Sequence, residues 1–318
     1  MAASPHRAAL PPRAQTLSGA HLLLLPHAVS AAEVSDLLRQ RLPGSDLARD
    51  GRAVLADRVT PTSDGPDAAS VLLGPVPLTR GARRALRLPK PFHADVGSVV
   101  GLLTPVQRSS TPPAEPDRDE LHRAFPGGRP VGEELAGLVL LLALARRVGG
   151  AVRAAGTSAV LKPDPWRAVD LRVRTSTWVE PDELLAALDA ALPDAESARS
   201  GDLEELLDAA DEALTGEPPV PEPYVVSGRR GDTDLVLLVH PEDDPSADPS
   251  AGEVTYEVQW DTDAAGDATD PHGRVLARSS VAAVTAALVA ATGGTVLDED
   301  AFVVDLRELR TIAASAAS

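Results

Sequence analysis

Arg80, Arg83, Arg84 and Arg87 stand at i, i+3, i+4 and i+7, a spacing that places four guanidinium groups on one face of a helix. Lys90 and His93 follow just beyond. No acidic residue is interleaved, so these cations repel one another unless an anion lies opposite. The chemistry this pattern offers is recognition of an acidic protein surface or an anionic ligand. The competing reading is a solvated arginine face in an arginine-rich chain. Arg80, Arg83, Arg84, Arg87 and Lys90 are the candidate anion or partner contacts.

A second group is acidic. Asp261, Asp263, Gly266, Asp267 and Asp270 fall within one ten-residue stretch, DTDAAGDATD. Several carboxylates around a glycine-permitted turn suit calcium. An EF-hand loop, however, needs an oxygen ligand at its fifth position and a glutamate at its twelfth, where this chain has Ala265 and His272. The stretch reads as a solvated hairpin, with Asp261, Asp263 and Asp267 left as a calcium candidate. No other metal site and no cofactor are expected.

The signatures of common enzymes are missing. None of the seven histidines makes an HExxH pair, and there is no GxSxG elbow, no GxxxxGK[ST] loop and no GxGxxG. His240 ends an apolar run beside Glu242, Asp243 and Asp244, where it could be a base held by a carboxylate or an exposed residue at a strand end. There are no cysteines, which removes thiolate metal sites, disulfides and thiol nucleophiles.

The elements that must carry these residues follow from periodicity. Residues 21–26 are a short apolar run suited to a buried strand. Ser30 with Glu33 three positions on has capping-box spacing, and Val34, Leu37, Leu38 and Leu42 give the helical stripe behind it. Strands are expected over 53–59, 71–76 and 96–103, with a helix over 80–88. Residues 133–148 form a helix that is apolar nearly all round, hence buried on most sides. Residues 169–178 alternate with a period of two, Pro181 sits at the first position of the next helix, and residues 203–214 make an acidic one. Strands at 224–227, 235–240 and 254–260, a helix starting at Ser279 or Ser280, and strands at 295–297 and 302–306 complete the pattern. The last residues, 311–318, read as a frayed tail.

Two endings resemble one another. Leu144–Val152 and Leu288–Val296 each run from a long apolar helix through Gly-Gly into a strand, 144 residues apart. The openings at Leu22 and Leu171 are 149 apart. Together these offsets point to an α+β fold of two similar half-domains. Each would have strand-helix-strands-helix-strand order, an internal duplication packed as one unit. The expected limits are a disordered tail over 1–18, a first half over 19–165, a second half over 166–310 and the frayed end.

Composition bounds the rest. The chain has 318 residues, 43% of them hydrophobic, enough for a sizeable core. Only Lys90 and Lys162 are lysines among 30 basic residues, asparagine is absent, and Ile312 is the sole isoleucine, the mark of GC-rich coding. Eight aromatic residues are too few for stacking on bases. The net charge of −17 repels nucleic acids and anionic lipid surfaces, so neither partner is expected. That charge is uneven: residues 1–160 carry 19 basic and 14 acidic groups, residues 161–318 carry 11 and 33. The longest apolar run, 137–145, is well short of the about 20 residues of a membrane span, and no secretory signal precedes it. These features point to a cytoplasmic, non-enzymatic protein that acts through protein–protein contact or self-association. The alternative is an enzyme without a short motif, using Arg83, Arg87, His93 and His240 around one pocket.

Overall fold

Five consecutive buried residues open β1 (His21–Pro26), a run too apolar for anything but the middle of a sheet. Ser30 follows, and its Oγ accepts the Glu33 N–H at 3.1 Å, starting α1 (Ala31–Arg41) with Val34, Leu37 and Leu38 turned inward. In the computed structural model, residues 17–42, 52–54, 70–86, 88, 95–111, 121–164, 168–199, 222–241, 254–261 and 271–315 are described. Two compact units divide the chain, Met1–Pro165 and Trp166–Ser318. Among the described residues there are seven helices and three antiparallel sheets, a mixed α+β fold.

The first unit continues with β2 (Arg52–Val54), β3 (Val71–Pro77), α2 (Arg80–Ala85) and β4 (Val96–Leu103). Two short strands, β5 (Arg108–Ser109) and β6 (Arg129–Pro130), flank α3 (Leu121–Ala124) and pair with each other. Then come α4 (Gly132–Val148), β7 (Ala151–Arg153) and β8 (Val160–Leu161). The sheet order is β2-β3-β4-β1-β7-β8, with β1 near its centre between β4 and β7. Both faces of β1 are covered. Leu22 and Leu24 pack with Leu17, Ala82, Leu86 and Leu88, and the alternate residues turn toward α4. The expected burial of α4 holds: all six residues from Leu140 to Ala145 are buried. Val139 is the exception at 43% exposed.

The second unit runs β9 (Leu171–Thr175), α5 (Pro181–Leu188), β10 (Glu196–Arg199), β11 (Tyr224–Arg230), β12 (Thr233–Pro241), β13 (Val254–Trp260), α6 (Pro271–Thr292), β14 (Thr295–Asp298) and α7 (Leu306–Ala314). Its sheet order is β10-β11-β12-β13-β9-β14. Leu171, Val173, Leu237, Tyr256 and Val258 share one core with Leu184, Val281, Leu288 and Leu309 from the three helices. Both tyrosines of the chain spend their hydroxyls on one loop. Tyr224 donates to the Val179 carbonyl at 2.5 Å, and Tyr256 donates to the Thr177 carbonyl while accepting the Val179 N–H, each at 3.0 Å.

Several expectations need correction. The helix expected over 80–88 ends at Ala85. The helix expected from Ser279 or Ser280 begins at Pro271. As a result His272–Thr292 is long and apolar enough to cross a membrane by length and composition, although no uninterrupted apolar run exists. Half of that stretch is buried inside the protein, as the core helix of a folded unit would be. Residues 302–306 contribute an isolated bridge at Val303 rather than a strand. Residues 311–314, expected to fray, belong to α7, whose Leu309 is fully buried. The acidic helix expected over 203–214 lies outside the described residues.

Each long helix stops on a glycine in the left-handed conformation, Gly149 at φ 66° and Gly293 at φ 70°. The following glycine is needed for a different reason. A Cβ on Gly150 would lie 2.6 Å from the Leu24 carbonyl oxygen, and one on Gly294 2.5 Å from that of Arg174. Gly294 also has φ 95°, while nothing lies within 4 Å of a Cβ on Gly293. Gly294→Ala should therefore destabilise the second unit by about 2–4 kcal/mol, from strain plus backbone overlap. Gly293→Ala should cost about 1 kcal/mol, from handedness alone. Denaturant unfolding of the two variants checks this; equal losses would remove the steric account.

Candidate functional site

Of the arginine stripe, α2 carries Arg80, Arg83 and Arg84. Thr79 caps α2 by accepting the Ala82 N–H at 3.2 Å, and Leu86 closes it by donating to the Ala82 carbonyl. The Leu88 N–H then reaches back to the Arg83 carbonyl at 3.2 Å. Arg83 turns inward and donates from Nη2 to the Val96 carbonyl at 3.0 Å, and its Nη1 is buried without a hydrogen-bond partner. Arg80 and Arg84 remain exposed. Arg87, Lys90 and His93 lie outside the described residues.

Asp261 is placed at an acidic cleft in the second unit. With Asp194, Glu196, Ser227, Gly228, Arg229, Asp234 and Leu235 it lines an open depression across the ends of β10 to β13. Asp234 is already engaged by Arg229, whose Nε and Nη2 donate to its two oxygens at 2.7 and 3.1 Å. Asp263 and Asp267, the other calcium candidates, lie outside the described residues. Among the described residues no group of three or more His, Asp or Glu is placed to hold a metal ion. His240 is half-buried one residue before the end of β12, its Nδ1 at 3.2 Å from the Pro241 carbonyl, in a different unit from Arg83.

A site that spacing did not reveal lies in the first unit. Glu134, in the first turn of α4, is fully buried and accepts three hydrogen bonds. Its Oε1 takes the His21 Nε2–H at 3.0 Å and the Arg108 Nη2–H at 2.5 Å, and its Oε2 takes the Gln107 N–H at 2.9 Å. His21 in turn accepts the Ala155 N–H on Nδ1 at 3.0 Å, which sets the tautomer with the proton on Nε2. The Arg108 guanidinium lies 4.0 Å from the centre of the Phe125 ring, and that ring meets His21 edge-on. Arg153, also buried, donates to the Leu86 and Ala20 carbonyls.

The electrostatics follow from burial. Desolvation, together with the cations Arg108 and Arg153, lowers the pKa of His21 to about 4, so it is neutral at pH 7. Desolvation pushes Glu134 up, while the Gln107 N–H and Arg108 hold it down. Burial also lowers Arg153. Both nitrogens of His21 are committed, so it has no free lone pair with which to take a proton from a substrate. The arrangement is a closed polar network that joins β1, β5 and α4.

The chain matches no family model, no curated protein and no solved structure.

Proposed function

We propose that the protein acts through contact with other proteins rather than by catalysis. One observation carries the reading: charged side chains stand on open surface in both units. Arg80 and Arg84 stand on the surface of the first unit, while Asp194, Glu196 and Asp261 line an open cleft on the second. Open, charged and shallow surfaces suit steering and docking better than the enclosure a reaction needs. The partner of the arginines is an acidic protein surface, most simply that of a second copy of this chain.

The test reverses the two exposed arginines, Arg80→Glu with Arg84→Glu, and leaves Arg83, which holds the Val96 carbonyl, in place. Exposed ion pairs contribute about 0–1 kcal/mol each, so self-association measured by sedimentation should weaken about tenfold at low salt. The difference should shrink as salt rises. Association and salt response equal to the wild type would leave these arginines as ordinary solvated surface.

We also infer that the two units are copies of one α+β unit. Support comes from the order β2-β3-β4-β1-β7 in one sheet and β11-β12-β13-β9-β14 in the other. In both, the opening strand lies between the last strand of its own sheet before the long helix and the first one after it. Registers agree as well: Leu24 pairs with Ala151 just after Gly150, and Arg174 pairs with Thr295 just after Gly294. An experimental structure tests this by superposition of α4 on α6. If Leu24 does not then fall on Arg174, the units are unrelated.

A further inference from the structure

The connection from β4 to α4 is far longer than its counterpart. It covers 28 residues, 104–131, and contains β5, α3 and β6, whereas ten residues join β13 to α6. Its two described arms, 104–111 and 121–131, are tied to each other. The Val131 N–H donates to the Gln107 carbonyl at 3.0 Å, and the Glu133 N–H to Gln107 Oε1 at 2.9 Å. They are tied to the body of the unit through Glu134, which binds Gln107 and Arg108 on one side and His21 on the other. Phe125, from the second arm, lies edge-on against His21, which is 2% exposed.

We propose that these arms form a strap that closes over His21 at neutral pH and lifts as the pH falls, with Glu134 as its anchor and His21 as its proton sensor. Closed, the imidazole is neutral, with Nδ1 bonded to the Ala155 N–H and Nε2–H to Glu134. The groups facing it are Glu134 from α4, Arg108 from β5 and Arg153 from β7. The two arginines oppose an added proton, and the histidine accepts one only near pH 4. Lifted into water it regains its ordinary value of 6.5. Between those limits each opening takes up a proton, so acid favours opening. Glu134 works against this, because burial makes its protonated form more favourable in the closed state.

Amide hydrogen exchange on the full chain, followed residue by residue by NMR and corrected for the intrinsic pH dependence, reads the opening directly. The Gln107 and Val131 amides report on the strap, and those of Leu23 and Val100 in β1 and β4 report on the sheet. Between about pH 7.5 and about pH 5, strap protection should fall roughly tenfold relative to the sheet. In His21→Leu, which places an apolar side chain at this buried position, that difference should vanish. A loss of equal size in strap and sheet, or an unchanged pH response in His21→Leu, would overturn the proposal. If the variant does not fold, the wild-type contrast between strap and sheet still decides.

Discussion

Leu141→Asp is expected to unfold the first unit, with a loss of roughly 3–5 kcal/mol. Leu141 is 0% exposed and sits within the fully buried stretch of α4 between Leu140 and Ala145. A carboxylate there loses its hydration, gains no partner and also removes a packed side chain. The existing buried carboxylate, Glu134, is tolerated one helix end away only because three donors surround it. Asp at 141 would have none built for it. Thermal or denaturant unfolding followed by a probe in each unit should show the first unit's transition collapse while the second unit keeps its own. A transition displaced by less than about 1 kcal/mol would mean that α4 can turn this face to solvent.

Stability of the first unit should rise with pH between about 4 and 6.5 through His21. The histidine's pKa is depressed in the folded state, from 6.5 to about 4. Above 6.5 both states carry the neutral ring and the full contribution is present. As the pH falls through the window the unfolded chain binds a proton that the folded chain refuses, so stability is lost. Below about 4 both are protonated and the loss is complete, amounting to about 3 kcal/mol. Glu134, raised by burial, has the opposite sign: its folded form binds a proton more readily, so it gains relative stability on acidification. The clean measurement is the difference between wild type and His21→Leu in denaturant unfolding across this range. His21→Leu should be the less stable of the two at neutral pH, by about 1–2 kcal/mol for the hydrogen bonds it gives up. Because the wild type loses about 3 kcal/mol over this window, the variant should overtake it before the pH reaches 4. Parallel curves would show that His21 titrates normally in the folded protein.

The elements themselves were legible wherever a local pattern encodes them. The runs 21–26, 96–103 and 254–260 coincide with β1, β4 and β13, because unbroken or alternating apolar residues have only one way to be buried in a sheet. Ser30 and Pro181 stand where a helix start requires them, and Gly149 and Gly293 where a helix stop does. The apolar circumference of residues 140–145 announced a buried helix. Asp305 caps α7 by accepting the Glu308 N–H at 2.8 Å, another start written locally as an aspartate followed three residues later by a glutamate.

What only the tertiary structure decided is the pairing of polar groups across the chain. Spacing put Arg83 on a helical stripe open to an anion, but its guanidinium is drawn inward by the Val96 carbonyl of β4. Glu134 reads in sequence as an acidic residue in the first turn of a helix, favoured there by the helix dipole. Nothing in its neighbourhood shows that it is buried, or that its partner is a histidine 113 residues earlier. His21 reads as an interruption in an apolar run. Periodicity reports which face of an element is buried, since that depends on residues three, four or two positions apart. Which charge lies opposite which depends on strand order and register, and those exist only once the sheet has closed around β1.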